Sequence, residues 1–375
     1  MKKSILIVAG EVSGDLHAAK VVKVVQTRSP ETTFWGIGGD DMRAAGVELL
    51  QHTDQMGVMG LVEVLKQYRF FKTVFKQVLA EVDKRKPDVA LLVDYPGFNL
   101  RLAAELKKRG VKVYYYISPK VWAWNKKRIP KMAKVIDRLM VVFPFEVDVF
   151  NGTGLSVDFV GHPLVAQIDD FLASGLAPLP WPSGRRVALL PGSRRQEIER
   201  MLPAMMLAAK KLEEPFPDVA FMIATPNARI EAIVKEQILQ CSEKPARLSV
   251  ICGNAREAMR QADAAMVASG TATLETALIG TPHILVYKTS AFTYWFARSV
   301  VKIRNIGLVN IVAGRTVCPE LLQMSATPER LAEETTKLMS DTPERAAMLA
   351  GYAEVRQLLG TKKAAENVAA ILCGD

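Results

Sequence analysis

Residues 89–93 read Val-Ala-Leu-Leu-Val, five apolar side chains in succession. A strand with one wet face alternates polar and apolar residues. A strand that does not alternate is buried on both faces, as in a parallel sheet covered by helices on each side. This run is the core of a strand candidate at 88–94, and further short candidates lie at 4–9, 33–37, 112–117, 138–143 and 157–160, and again at 186–190, 219–224, 248–252, 264–268 and 283–287, with 307–311 as a last candidate. Longer stretches with helical periodicity separate them, which specifies βαβ units. The chain has 375 residues, more than one ordinary domain and suited to two. A Pro- and Gly-rich break at 173–185 divides the pattern. The expected fold is therefore α/β, with two Rossmann-like doubly wound domains facing a central cleft at their carboxyl strand ends. The first spans 1–172 and the second 185–345, and a C-terminal helix at about 345–375 packs back on the first.

The chain has ample apolar material, 49% of its residues, and no low-complexity segment. Its longest apolar runs fall far short of the 18 or so residues a membrane span needs. Lys2 and Lys3 followed by a five-residue apolar run imitate a signal peptide, but Gly10 and Glu11 end the run, so a buried first strand and a cytoplasmic protein are expected. Cys241, Cys252, Cys318 and Cys373 are widely spaced and fit neither a metal site nor a disulfide framework. The net charge is +10, and residues 1–165 carry most of it, with 25 Lys and Arg against 17 Asp and Glu. Such an excess suits an anionic partner, whether nucleic acid, phosphorylated substrate or anionic membrane surface, and equally a solubilising surface. No recognition helix, zinc pattern or stacking platform is present, so a nucleic-acid partner is not expected.

The chemistry is expected where strands end. After the first strand, residues 10–15 read Gly-Glu-Val-Ser-Gly-Asp and open a helix, so Glu11, Ser13, Gly14 and Asp15 are candidates for the cleft. This is not G-x-G-x-x-G, and the turn also reads as a capped helix start. Asp94 closes the apolar run before Tyr-Pro-Gly-Phe-Asn. A carboxylate there is partly desolvated, which suits a general base, although a turn-forming Asp before Pro-Gly reads equally well from position. Asn99 lies in the same segment. In the second half Pro191-Gly192-Ser193-Arg194 ends a strand, with Ser193 as cap and Arg194 as a fixed cation suited to a diphosphate. Ser269, Gly270, Thr271 and Thr273 form a second phosphate-sized cradle, and Glu275 lies one turn into the following helix, placed for a ribose diol or as a favourable acid in a first turn.

Residues 118–128 set Trp122 and Trp124 beside three cations, as a polar wall, an interfacial anchor or two core residues. His162 follows the last strand of the first half, at a ligand or a hinge. Residues 61–84 show one apolar stripe at helical spacing, with Phe70 on the opposite face. With Met56, Val58 and Met59 just before the helix, Phe70 is expected to face lipid or an acyl chain, against the alternative of a buried loop.

Taken in order, residues 10–15, 59–65, 94–99, 118–124, 161–163, 190–194 and 269–275, with 298–323 as a late segment, resemble the lipid-A-disaccharide synthases over nearly the whole chain. The resemblance implies an inverting glycosyltransferase of GT-B architecture. It would join UDP-2,3-diacylglucosamine to 2,3-diacylglucosamine 1-phosphate through a β-1′,6 bond, releasing UDP, without metal or cofactor. It also implies a peripheral protein at the cytoplasmic face of the inner membrane of a Gram-negative bacterium, and dimers that exchange C-terminal segments. Residue by residue, Asp94 matches an essential carboxylate, Arg194 an essential arginine near the donor diphosphate, Glu275 a ribose-binding acid and Asn310 an asparagine of the late donor loop. The chain departs from the family pattern twice: Val309 replaces the usual Pro before Asn310, and Gly97 replaces a second acid after Asp94. Another GT-B enzyme, a UDP-N-acetylglucosamine 2-epimerase or a lipid II-type transferase, is the alternative.

Overall fold

In the computed structural model, residues 3–56, 61–290, 305–360 and 363–374 are described, 61–68 by backbone alone. The chain forms two compact units, residues 1–163 with 360–375, and residues 164–359.

The first unit runs β1 (Ser4–Ala9), α1 (Val12–Arg28), β2 (Thr33–Gly38), α2 (Asp40–Ala44), β3 (Glu48–His52), α3 (Leu61–Arg85), β4 (Val89–Val93), α4 (Pro96–Lys108), β5 (Lys112–Tyr116), α5 (Val121–Trp124), α6 (Ile129–Val135), β6 (Arg138–Val141), α7 (Glu146–Val149) and β7 (Ser156–Phe159). Its seven strands are parallel, in the order β3-β2-β1-β4-β5-β6-β7. The continuous apolar runs lie where that reading puts them: Ile5 to Ala9 and Ala90 to Val93 are fully buried at the centre of the sheet. Strand order reverses between β1 and β4, so the loops that leave these two strands flank a switch point, where such sheets bind ligands.

The second unit runs α8 (Pro163–Ala173), β8 (Arg186–Leu190), α9 (Arg195–Leu212), β9 (Ala220–Thr225), α10 (Ala228–Gln240), β10 (Leu248–Cys252), α11 (Ala255–Gln261), β11 (Ala264–Ala268), α12 (Thr271–Ile279), β12 (His283–Tyr287), α13 (Leu308–Ala313), β13 (Glu320–Leu322), α14 (Pro328–Leu338) and α15 (Pro343–Leu358). Its six-stranded parallel sheet has the order β10-β9-β8-β11-β12-β13, with its switch point between β8 and β11. A last helix, α16 (Ala364–Cys373), packs on α1 in the first unit. Lys3 Nζ donates to the carbonyls of Leu372 and Cys373 at 2.9 and 3.1 Å, and Asn367 Nδ2 to that of Val160 at 2.8 Å.

Three features differ from the sequence reading. The chain divides at Pro163/Leu164, ahead of the Pro- and Gly-rich segment. That segment lies on the second unit because α11 satisfies its backbone: Ala177 N–H donates to Glu257 Oε1 at 2.5 Å and Leu179 N–H to Gln261 Oε1 at 3.1 Å. Of the helices after 343, α15 stays with the second unit and only α16 returns to the first. The strand expected at 307–311 is the helix α13, and the sixth strand comes later, at β13.

Candidate active site

Each switch point is lined by loops that the sequence singles out. In the first unit, α1 follows β1 without a side-chain cap, and Glu11 and Ser13 are exposed at its start. Asp15 is not: it is 3% exposed, and its carboxylate accepts from the N–H groups of Gly39 (2.6 Å), Asp41 (3.0 Å) and Met42 (3.2 Å), closing the start of α2. Gly14 is buried against Ala9 and Val93. Asp15 and Gly14 therefore shape the loop and do not face a ligand, contrary to the sequence expectation.

The loop after β4 turns sharply. Asp94 and Tyr95 both have left-handed backbones, φ 46 and 47, without a glycine between them. Such residues cost on the order of 1–3 kcal/mol each and persist only where their surroundings hold them. Here Asp94 N–H donates to the Tyr116 carbonyl at 2.9 Å. The Asp94 carbonyl accepts from Asn99 Nδ2 at 2.8 Å and from the Tyr115 hydroxyl at 2.5 Å. Asn99 is fully buried and acts as this tether, not as an acceptor contact, which corrects its expected role. Gly10 gives the Tyr95 ring its place, since a Cβ there would meet Tyr95 Cδ1 at 2.3 Å. Gly10→Ala is expected to displace the turn at a cost of about 1–3 kcal/mol, read as a lowered melting temperature together with lost activity; a variant with native stability and turnover would refute this packing argument.

The turn holds the Asp94 side chain half-buried at the end of the sheet. Burial, with the Glu11 carboxylate nearby, pushes its pKa up to about 6, against smaller opposing contributions from the Tyr95 N–H and Lys120. A carboxylate of that pKa is ionised at neutral pH and still basic enough to take a proton.

Residues after β5 and β6 complete this end of the sheet. Trp122 is buried and donates from Nε1 to Glu146 Oε1 at 3.1 Å, while Phe143 N–H donates to Glu146 Oε2 at 3.2 Å. Burial pushes Glu146 up to about 7. Trp124 is exposed, with the Arg128 guanidinium 5.4 Å from its ring centre. His162 packs 4.9 Å from the Phe143 ring. Burial lowers His162 to about 3 and His17 to about 4, so both are neutral at physiological pH. Glu146 and His17 were missed by sequence reasoning. Glu146 had a usable signal, an acid set among Phe-Pro-Phe and Val after a strand; His17 had none.

The expected lipid face divides. Met56 is buried in the first unit's core, so it is not available to lipid in this arrangement. Phe70 is half-buried, packed against the same core and edge-on to Phe71 at 5.8 Å. Val58 and Met59 lie outside the described residues.

In the second unit, Arg194 caps α9 by position, and its side chain is 81% exposed with one partner, Glu197 Oε1, at 2.9 Å. Ser193 N–H donates to the other Glu197 oxygen at 3.1 Å. Across the switch point, Gly270 and Thr271 are exposed at the start of α12, which has no side-chain cap, and Ser269 is half-buried. Thr273 is buried and donates to the Gly270 carbonyl at 2.8 Å, so it closes the loop and is not a ligand contact. Glu275 Oε1 accepts from Arg256 Nη2 at 2.6 Å and Nε at 3.1 Å, and Gln167 accepts from the same guanidinium at 3.1 Å. Arg256 comes from α11, and no local pattern announces it.

Asn310 is fully buried and fully engaged. Its Nδ2 donates to the Cys318 carbonyl and Glu320 Oε1, both at 2.8 Å, and its Oδ1 accepts from the N–H groups of Val317 (2.7 Å) and Cys318 (3.0 Å). The expected donor contact is instead a clamp on the segment between α13 and β13. Asn310→Ala is expected to cost about 2–4 kcal/mol from unpaired buried groups, read by thermal melting, with the KM for the UDP-sugar unchanged in the folded protein; an unchanged melting temperature with a raised KM would restore the contact role.

Solved structures share this architecture. Acinetobacter baumannii MurG matches with TM-score 0.60 at 15% identity over 100% of both chains. The UDP-GlcNAc 2-epimerase of Neisseria meningitidis matches with TM-score 0.63 at 12% identity, over 99% of this chain and 100% of the other. A calicheamicin glycosyltransferase matches with TM-score 0.63 at 14% identity, over 100% and 98%. Two doubly wound parallel sheets of this kind define the GT-B fold. Within that class, the sequence matches the Lipid-A-disaccharide synthetase family over residues 5–372. It is 44% identical to the lipid-A-disaccharide synthase of Syntrophus aciditrophicus, over 98% of this chain and 96% of that one. It is 41% identical to that of Anaeromyxobacter dehalogenans, over 99% and 97%. The chain belongs to the lipid-A-disaccharide synthetase family. It is a glycosyltransferase of lipid A biosynthesis, acting on a UDP-sugar and a lipid acceptor. No helix among the described residues is long and apolar enough to cross a membrane.

Proposed function

We propose that the donor is UDP-2,3-diacylglucosamine, the acceptor 2,3-diacylglucosamine 1-phosphate, and the product the β-1′,6-linked disaccharide 1-phosphate. The observation that carries this reading is Asp94, a half-buried carboxylate with pKa raised to about 6, held by a strained turn at a switch point. Asp94 takes the proton from the acceptor's 6-hydroxyl. The oxygen attacks the donor's anomeric carbon from the face opposite UDP, inverting the configuration, and the bond to the diphosphate breaks with its electron pair leaving on UDP. Arg194 and the uncapped N–H groups at the start of α12 stabilise that leaving charge. Glu275, held in place by Arg256, accepts from the ribose. The chemistry as written uses the chain's own cations.

The enzyme acts as a peripheral protein at the cytoplasmic face of the inner membrane, drawn there by the basic first half and by Trp124 with its neighbouring cations. The resemblance to the family also supports a homodimer, and a single-chain mass in sedimentation would refute that point. UDP release from the donor, measured with and without the acceptor, tests the activity. Acceptor-dependent UDP and a new disaccharide are expected; donor binding without UDP release would refute the assigned pair of substrates. If Asp94 is the base, kcat/KM falls about tenfold per pH unit below its pKa of about 6, and a flat profile to pH 4.5 would remove it from that role.

A further inference from the structure

A pocket of about 440 Å³ opens between α3 and α4, within the size range of small-molecule sites. Phe71 and Phe75 line it from α3, and Tyr95, Gly97 and Phe98 line it from the turn after β4 and the first residues of α4. The rings brace one another: Phe75 and Phe98 meet edge to face at 5.5 Å, and Tyr95 lies 6.2 Å from Phe98. One cation from each helix completes the lining, Lys72 and Arg101, both exposed. Among the described residues neither has an ion-pair partner, although other cations on these helices do. Arg85 pairs with Glu81 and Glu48, Lys108 with Glu105, and Lys107 with Asp137.

An apolar interior with two unpaired cations fits an amphiphile that carries an anionic group. Its position narrows the choice. Tyr95 lines the pocket, and its backbone N–H hydrogen-bonds the Asp94 carboxyl, so a ligand seated there lies beside the base. We infer that this pocket takes one acyl chain of the acceptor, with Lys72 and Arg101 pairing its phosphate while its hydroxyl reaches Asp94. The inference rests on the reading of acceptor and base given above. A monoester phosphate is dianionic or nearly so at neutral pH and matches two cations. The donor's phosphates are joined to uridine and assigned to the second unit.

Gly97 supplies the test. It is exposed and lines the pocket, and a Cβ there would meet nothing within 4 Å, so the first carbon of a larger side chain has room and the rest narrows the pocket. The KM for a series of 2,3-diacylglucosamine 1-phosphates with progressively shorter chains is measured in detergent for the native enzyme, Gly97→Leu and Arg101→Glu. In the native enzyme KM is expected to rise about fourfold for each methylene lost from the seated chain. Gly97→Leu flattens this dependence and raises KM for the longest chain at least tenfold, with UDP affinity unchanged. Arg101→Glu raises KM for every phosphorylated acceptor and leaves an acceptor without the phosphate unaffected. Native chain-length dependence in Gly97→Leu, or a native KM for phosphorylated acceptors in Arg101→Glu, would overturn the inference. So would variants that lose only binding to phosphatidylglycerol vesicles, which would assign the pocket to bulk membrane. Equilibrium binding of dodecyl phosphate separates the two levels. If it binds, is lost in Gly97→Leu, and no acceptor yields UDP, the pocket's ligand class stands and the assigned activity fails. If UDP is released and dodecyl phosphate binding is absent or insensitive to Gly97→Leu, the pocket assignment alone fails.

Discussion

Asp94→Asn is expected to lower kcat at least a hundredfold and, at neutral pH, to raise the stability of the folded protein. The first effect follows from removing the group that accepts the hydroxyl proton, since a positioned base contributes about 10²–10⁴-fold. The second follows from its environment. Burial and the Glu11 carboxylate raise the Asp94 pKa to about 6, above its value of about 3.9 in an unfolded chain. The folded state therefore binds the proton more tightly than the unfolded state does. Above pH 6 the ionised carboxylate works against folding, and as the pH falls from about 6 towards 4 that burden is lifted. Asparagine keeps the shape without the charge. The gain is on the order of 2 kcal/mol at pH 7 and should shrink to nothing near pH 4. Thermal melts of both proteins at pH 7.5 and pH 4.5, with UDP release at pH 7.5, check the pair of effects. An inactive variant that is also less stable at pH 7.5 would mean that Asp94 holds the turn rather than carrying a base held against the fold.

The left-handed turn makes the same point from the backbone. Asp94 and Tyr95 occupy a conformation that glycine would adopt more readily, and three hydrogen bonds from β5 and α4 together with a glycine on the neighbouring loop hold them there. Two strained residues, one of them an ionised group in a desolvated position, are concentrated where the sheet presents its ligand face. Stability is given up locally at a point that chemistry needs.

How far the sequence shows this depends on the range of the interaction. The central strands are legible because burial on both faces leaves an unbroken apolar run, as at 89–93. The edge strand β3, Glu-Leu-Leu-Gln-His, carries no such run because its residues are exposed or only half-buried, and β13 is three residues long. The motif loops are legible because they sit at strand ends, and the two switch points collect four of them: 10–15 and 94–99 in one unit, 191–194 and 269–275 in the other. What the local sequence does not carry is the direction in which a side chain points. Asp15, Asn99, Thr273 and Asn310 are polar residues in functional loops, and all four turn inward to satisfy backbone groups. Arg256, which orients Glu275, and Glu146, which anchors Trp122, are brought in from 19 and 24 residues away. Those distances are set by the crossover helices, and local spacing holds no record of them.

On the donor side the largest expected effect belongs to Arg194. Arg194→Ala should lower kcat by about 10²–10³-fold, the usual consequence of removing one group that stabilises charge developing in the transition state. The fold should not notice the change. Arg194 is 81% exposed and its single partner, Glu197, lies three residues along the same helix start. An exposed pair of that kind contributes about 0–1 kcal/mol. Glu197 keeps its bond from the Ser193 N–H in the variant, so the loop retains its shape. The native pair also predicts how Arg194 is used. An exposed guanidinium held by one half-buried carboxylate can turn to a diphosphate at the loss of a single surface contact, whereas one clamped in the core could not. Arg194→Lys keeps the charge but loses the planar fork, so it should recover part of the rate and not all of it. Steady-state UDP release for both variants, with melting temperatures alongside, separates the outcomes. Unchanged kcat in Arg194→Ala would move the leaving-group role elsewhere in the second unit, and a fall in melting temperature of many degrees would show that the exposed pair holds the loop.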